Sequence, residues 1–555
     1  MSMSRKVAKA SLESMYRIFT VPEAPGSTLG RINQEISRNL AGFLRAHIVA
    51  VEKDIDDMEA DFSDTLIPED PVFVSEQAQF LLDKLVAQSV HTASPSFIGH
   101  MTSALPYFML PLSKIMIALN QNLVKTETSK AFTPLERQVL GMIHRLVYQQ
   151  DDSFYTHHLH DPSVALGAMC SGGTIANLTA LWVARNAAFP ARGDFHGVQK
   201  SGLVRALREY DYDDAVILVS ERGHYSLRKS ADVLGLGSDA VIAIPTDDDN
   251  RIRLDALRET CLRLVNARTR ILALVGIAGT TETGHVDPLE AMADIAAEFG
   301  IHFHVDGAWG GPTLFSGTYK HLLKGIERAD SVTFDAHKQL YVPMGVGMVV
   351  FKDPTHLRHI EHHAQYIIRA GSRDLGSKTL EGSRPGMAML VQSALKIIGR
   401  SGYEILIDQG IDKARLFAEK IKAHPDFELI TEPELNILTY RWCPAPIQEA
   451  LAHAPEPIVR QVNDRLSKIT KEIQKTQRAR GKSFVSRTRL TPARYDHHPC
   501  IVFRAVLANP LTTPEILDDI LEEQAGIARE DFLNEYRHAI DHLLAAPAAS
   551  HAGAR

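Results

Sequence analysis

The chain has 555 residues, with 60 lysines and arginines against 67 aspartates and glutamates, so its formal net charge is −7. That balance gives no electrostatic reason to bind nucleic acid or an anionic membrane surface, and 45% hydrophobic with 23% charged residues excludes a mostly disordered chain. The four cysteines, Cys170, Cys261, Cys443 and Cys500, show no CxxC spacing, which argues against a disulfide scaffold or a zinc ribbon and fits a reducing cytoplasm.

Residues 1–94 read as a helical segment with a break at 26–30. Its first turns lack the apolar stretch of a signal peptide. Val7, Leu12, Met15, Tyr16 and Phe19 instead mark one side of an amphipathic helix, read as a docking helix in preference to a transit peptide, against which Glu13 counts. The apolar run 108–119 is broken by Lys114, and the run 271–278 is too short to cross a bilayer. Residues 95–400 alternate short apolar runs with helical stretches. Strands are expected at 215–220, 240–245, 271–277, 301–305, 331–334 and 346–351, with helices such as 254–267 and 288–299 between them. Strands apolar on both faces predict a mainly parallel α/β sheet. The stretch 195–214 reads as a surface insertion. Residues 401–545 read as a smaller α/β domain, with strands at 427–431, 437–441 and 501–507 and helices at 457–478 and 513–525; the tail 546–555 reads as disordered.

Ligands of parallel sheets bind beyond the carboxyl ends of strands, so the residues just after each strand carry the functional reading. The segment SVTFDAHKQLYVPMGVGM places Lys338 directly after an apolar strand. It is either a solvated lysine at a strand end or a Schiff-base lysine, whose amine must be neutral at least transiently. In IHFHVDGAWGG, Asp306 follows a strand; it would be a helix cap, a metal ligand or the partner of a cofactor's ring nitrogen. Gly307 and Ala308 would let a planar ring approach the backbone. In CSGGTIANLTALW, a glycine turn opens a helix, a geometry that caps helices generally and also binds phosphate. His224 in ERGHYS would stack on a ring or be an ordinary polar residue. Thr280 in GIAGTTETG would contact a ring hydroxyl or serve the turn. The histidines 157, 158 and 160 in THHLHD, and 497 and 498 beside Cys500, raise a metal site. Adjacent histidines point apart, however, and no HExxH accompanies them, so no metal is expected.

Each signal is weak alone. Together, and in this chain order, the pieces SGGTIANL, HYS, AGTTETGHVDPL, HVDGAWGG and DAHKQLY resemble the group II pyridoxal 5′-phosphate (PLP)-dependent amino acid decarboxylases of fold type I. The resemblance covers residues 95–525. It implies a seven-stranded, mainly parallel sheet flanked by helices and a homodimer joined by the N-terminal helices. It also implies a small-molecule amino acid substrate. It would make Lys338 the residue that carries PLP as an imine, with Asp306 at the pyridine nitrogen, Ala308 under the ring and His224 stacked over it. Gly173 and Thr174 would hold the phosphate, with Ser331 or His337 near by, and Thr280 would contact the cofactor. The resemblance places His100, Asn122 and Glu127 around the substrate, and Arg504 on its carboxylate. Lys125 would meet an anionic side chain or lie in solvent. Tyr366, in the stretch where the family has a mobile catalytic loop, would donate a proton.

One departure is that Asp335-Ala336-His337-Lys338 stands where the family often has Asn-Pro-His-Lys. The stretches SRDLGS and LEGSRPGM, with DAHKQLYVPMGVGMVV, are most similar to the bacterial aspartate 1-decarboxylases of this family. They imply L-aspartate as substrate and β-alanine as product, for pantothenate and coenzyme A; the alternative is L-glutamate, giving 4-aminobutyrate. A PLP aminotransferase or carbon–sulfur lyase would use similar parts, but the HVDGAWGG and DAHK pair favours a decarboxylase.

Overall fold

The structure, a computed structural model, describes residues 11, 24–48, 53–363 and 373–545. Tyr366, the tail 546–555 and the side chains of Val7, Leu12, Met15, Tyr16 and Phe19 lie outside that set. Seven strands make the large sheet: β1 (Gly167–Cys170), β2 (Asp214–Ser220), β3 (Val241–Ile244), β4 (Thr269–Ile277), β5 (His302–Asp306), β6 (Ser331–Asp335) and β7 (Gly347–Phe351). Their order is β1-β7-β6-β5-β4-β2-β3, and only β7 runs against its neighbours. Six strands fall where the apolar runs predict them. The seventh, β1, is four residues long and carries no β-branched side chain; its pairing to β7 makes it a strand.

Both faces of this sheet are covered, which is why its strands are apolar throughout. In β4, Leu274 packs into the core beneath the helices Phe132–Tyr148 and Leu289–Phe299, whereas Val275 and Ile277 pack beneath Gly173–Ala188 and Ser226–Val233. The expected insertion 195–214 forms the short helices Val198–Ser201 and Leu203–Tyr210. It buries Phe195, Val198 and Ala206 against that second core, so it is part of the packing rather than a loop over it.

A second antiparallel sheet contains β8 (Phe427–Thr431), β9 (Ile437–Trp442), β10 (Ser486–Leu490) and β11 (Cys500–Val506), in the order β10-β11-β9-β8. The helices Glu456–Arg480 and Pro514–Ala528 pack on it. The two regions are joined by the long helix Ala388–Ala423, which breaks at Gly399 (φ +68°), beside the boundary expected at 400. On the N-terminal side, Ser27 caps the helix Thr28–His47 by accepting from the Gly30 amide (2.9 Å), which explains the break read at 26–30. Among the described residues no helix is long and apolar enough to cross a membrane.

Candidate active site

The carboxyl ends of β2, β4, β5 and β6 and the end of β1 all open on one cavity of about 780 Å³. Lys338 enters it from the turn that follows β6. That turn closes with hydrogen bonds from the Lys338 amide to the Asp335 carbonyl (3.2 Å) and from the Tyr341 amide to the Lys338 carbonyl (3.2 Å). It is clamped to the small domain: the Tyr341 hydroxyl donates to the Ala508 carbonyl (2.9 Å), and the Gln339 and Trp309 side chains are both bonded to Asn436. Lys338 Nζ lies 3.1 Å from Asp335 Oδ2 in an ion pair.

Asp306 ends β5 and lines the same cavity. Its Oδ2 accepts from Asn177 Nδ2 (2.8 Å), and its Oδ1 accepts from the Ala308 amide (3.1 Å). Behind it runs a buried polar chain: Asn177 Oδ1 meets His304 Nε2 (3.1 Å), His304 Nδ1 meets Ser331 Oγ (2.9 Å), and Ser331 Oγ meets His302 Nε2 (2.8 Å). Burial pushes the His304 imidazole down to about 4 against the pull of Asp306, and pushes His302 well below its ordinary value. Both rings are therefore neutral. A single arrangement of protons then satisfies the chain: His302 donates to Ser331, Ser331 to His304, His304 to Asn177, and Asn177 to Asp306. Every link donates toward Asp306, which fixes the direction of that carboxylate.

His224, after β2, lines the cavity, and its Nδ1 bonds Ser226 Oγ (2.8 Å). Its imidazole is held below its ordinary value, mainly by burial and against Asp306. The Ser226 hydroxyl is also reached by Asn177 (3.2 Å), so one asparagine serves both Asp306 and the histidine's support. Ser171, Gly172, Gly173 and Thr174 line the cavity at the N-terminus of the helix Gly173–Ala188, where unpaired amides and the positive dipole end favour an anion. A Cβ on Gly173 would lie 2.7 Å from Asp335 Oδ2 and 3.3 Å from the Ala308 Cβ, so only glycine leaves this corner open. Ala308 and His337 complete the wall, with His337 Nδ1 bonded to the Val346 carbonyl (2.9 Å).

Arg504, in β11, reaches the cavity from the small domain. Its Nε donates to the Thr281 carbonyl (2.6 Å), and its Nη2 is buried without a protein partner, a free donor suited to a carboxylate. Burial lowers its guanidinium to about 10, partly offset by Glu282. His100 lies on the open side of the same cavity and is held below its ordinary value by burial and by the charges of Arg504 and Lys338.

Five expected residues sit elsewhere. Ser331 is fully buried at the start of β6 and bonds His302 and His304, so it supports Asp306 from behind and does not reach a phosphate at Gly173. Thr280 is buried in its turn, bonded to Thr283 Oγ1 (2.7 Å) and the His285 amide (3.2 Å); its neighbours Gly279, Thr281 and Glu282 face the cavity. Asn122 bonds Ser383 Oγ (2.9 Å), and Lys125 pairs with Glu127 (2.6 Å); none of Asn122, Lys125 and Glu127 lines this chain's cavity. His157, His158 and Asp161 form a three-residue cluster outside the cavity lining. Asn177 and His304 were not singled out, because an asparagine inside a helix and a histidine inside a strand carry no motif signal.

The residues present fit PLP. A buried carboxylate with only donors around it, a lysine in the turn after the neighbouring strand, a glycine-walled helix N-terminus and the orphaned Asp335 Oδ1 all open on one space.

The comparisons agree. Residues 66–443 match the model of the pyridoxal-dependent decarboxylase conserved domain. The chain is 62% identical over 528 residues to an aspartate 1-decarboxylase of Aliivibrio fischeri, covering 95% of this chain and 96% of the relative. It is 29% identical over 442 residues to an L-2,4-diaminobutyrate decarboxylase of Rhizobium meliloti, covering 79% and 78%. The crystal structure of mouse CSAD superposes with a TM-score of 0.77 at 25% identity, covering 91% of this chain and 98% of that one. A lysine and an aspartate at the ends of neighbouring strands, a phosphate-ready helix start and a match over most of the sequence therefore have one explanation: the chain belongs to the family of pyridoxal-dependent decarboxylases.

Proposed function

We propose that this protein is a PLP-dependent L-aspartate 1-decarboxylase that releases carbon dioxide and leaves β-alanine. The observation that carries the substrate is the near full-length, 62% identity to an aspartate 1-decarboxylase. The balance of charge in the cavity agrees with an acidic substrate. Arg222, Arg228, Lys338 and Arg504 line it against Glu282, Asp306 and Asp335, and two of those three acids are engaged at the cofactor end.

PLP, when bound, supplies the electron sink for the carbanion left by carbon dioxide. The chain supplies the rest. Lys338 provides the attachment amine. Asp306, held by Asn177 and the Ala308 amide, keeps a proton on the ring nitrogen. Ala308 and His224, which both line the cavity, would confine the ring, and Gly173, Thr174 and His337 would hold the phosphate end. Arg504 holds a substrate carboxylate with its free Nη2, which fixes the angle of the bond to be broken. Tyr366 is assigned the return of a proton to the carbon that lost the carboxylate.

The active unit is proposed to be a homodimer. The helix Met109–Leu119 leaves Ile115, Ile117 and Leu119 exposed, an apolar surface that wants a partner. The segment with Asn122 and Lys125 follows it. Four buried free cysteines fit a cytoplasmic location. The deciding experiment measures carbon dioxide release from L-aspartate, L-glutamate and aromatic amino acids with added PLP. L-Aspartate is expected to be preferred. Turnover of L-glutamate with L-aspartate inert would overturn the substrate, since one methylene is worth only about 1–3 kcal/mol of discrimination.

A further inference from the structure

Among the described residues, three acids line the cavity: Glu282, Asp306 and Asp335. Asp306 is engaged by Asn177 (2.8 Å) and Asp335 by Lys338 (3.1 Å), whereas the buried Oε2 of Glu282 has no hydrogen-bond partner. The turn after β4 presents this carboxylate. Thr280 Oγ1 meets Thr283 Oγ1 (2.7 Å), the Gly284 amide donates to the Thr280 carbonyl (2.9 Å) and the His285 amide donates to the Thr280 hydroxyl (3.2 Å). The ends of the turn are thereby tied together, with Glu282 at its middle. Gly284 takes φ +74°, and a Cβ on it would lie 2.9 Å from the Ile437 Cβ, so the turn packs closely on β9.

The same turn positions Arg504. The arginine's Nε donates to the carbonyl of Thr281 (2.6 Å), the residue before Glu282, and its Nη1 reaches the Gly99 carbonyl (3.4 Å), while Nη2 is buried and unpaired. Burial lowers both the Arg504 guanidinium and the His224 ring, and the charge of Glu282 pulls both back, so the carboxylate lies within electrostatic reach of each. A buried acceptor and a buried charged donor thus face one cavity, joined through a single backbone carbonyl, and neither satisfies the other. Unmet buried groups of this kind are costly unless a ligand completes them. The ligand that fits brings an anion and a cation close together. A free amino acid does so, because one carbon carries its carboxylate and its ammonium. A carboxylic acid without the amine would satisfy Arg504 and be repelled by Glu282.

We propose that Glu282 and Arg504 together dock the incoming amino acid as its zwitterion, with Arg504 Nη2 donating to a carboxylate and Glu282 Oε2 accepting from the ammonium, so that Glu282 selects amino acids against plain carboxylic acids of the same shape. The inference rests on the reading of this site as that of a PLP-dependent L-aspartate decarboxylase. It is tested on the holoenzyme after borohydride reduction, which fixes the cofactor to Lys338 and stops turnover. Dissociation constants are measured by calorimetry at neutral pH for L-aspartate and for succinate, which has the same carboxylates and no amine, with the wild type and Glu282→Gln. The wild type is expected to bind L-aspartate about tenfold more tightly than succinate, the effect of one hydrogen bond to a charged group. Glu282→Gln is expected to weaken L-aspartate by about tenfold and to bind succinate as well as the wild type does, or better. Equal weakening of both ligands would overturn the proposal and leave Glu282 as a counter-charge for Arg504; unchanged constants for both would overturn it too. Should Glu282→Gln not fold, the wild type decides, since equal affinity for L-aspartate and succinate overturns the proposal by itself. A wild type that forms no adduct on reduction, or that binds neither ligand, would instead remove the underlying reading of the site, and the proposal with it.

Discussion

Asn177 holds Asp306 by donating a hydrogen bond, and its own carbonyl is the acceptor for His304. Replacing it removes one charge-assisted bond and strands a buried imidazole N–H, so Asn177→Ala is expected to lower kcat by about 10–100-fold, on the basis of about 1.5–3 kcal/mol for such a bond. Because Asn177 acts through Asp306, the variant should also change the absorbance of bound PLP, which reports ring-nitrogen protonation; an unchanged spectrum would reduce the residue to a packing role. Arg504, which lines the cavity with its Nη2 unpaired, is proposed to hold the substrate itself. Arg504→Lys keeps the charge and loses the planar fork. Its kcat/KM for L-aspartate is expected to fall by about 10–100-fold, while the affinity for PLP, titrated by absorbance, stays within about threefold, because the lost bond is made to the substrate and not to the cofactor.

At the scale of elements, the join between β1, β7 and the start of the helix Gly173–Ala188 depends on missing side chains. A Cβ on Gly347 would stand 2.7 Å from the Gly172 carbonyl carbon as well as against Asp335, and backbone has nowhere to move. Gly347→Ala is therefore expected to cost about 1–3 kcal/mol, read as a lower urea midpoint, with weaker PLP retention. In the small domain, Arg441 is fully buried in β9, donates to Glu428 (2.7 Å) and Asn463 (2.6 Å), and lies over the Tyr495 ring (4.7 Å). Glu428 is also bonded by the Tyr495 hydroxyl (2.6 Å). Arg441→Ala leaves that carboxylate buried with much of its compensation gone. It should destabilise the protein by about 3–5 kcal/mol in chemical denaturation, without moving KM, because the network lies outside the cavity lining.

For the whole molecule, buried histidines set the acid limb of stability. Burial pushes His144, bonded to the Tyr155 hydroxyl (2.9 Å), and His285 down to about 4. A group lowered on folding contributes fully above its unfolded value, about 6.5, and loses that contribution as pH falls through its folded value. Asp287 has the opposite sign: burial raises it to about 7, so its contribution is present below its unfolded value and is lost as pH rises through 7. With His304 also lowered to about 4, the histidines outnumber it. The urea midpoint is expected to fall between pH 6.5 and 4; a midpoint that rises over that range would show that Asp287 dominates.

Lys338, Asp306 and Gly173 could be singled out from the sequence because the first two follow strongly apolar strands and the third opens a helix through a glycine turn, and both signals are local; Arg504 was implied only by the resemblance. The run of strands from β2 to β7 was legible for the same reason. Other features depended on what lies opposite. The strand β10, SRTRL, carries alternating charges and becomes a strand through its hairpin pairing to β11. Ser331 stands at the far end of β6 from Asp335, four residues or about 13 Å below the site at the usual strand rise, so the motif that contains it reaches the cavity only at its other end. Thr280 was drawn into its own turn by Thr283, three residues on. Chain order alone thus determined the chemistry of this protein, since the reactive groups must follow buried strands. Tertiary structure decided which atoms face the cavity, because the approach of helix to sheet and strand to strand sets that direction, and it alone brought the Asp335 carboxylate against the helix N-terminus.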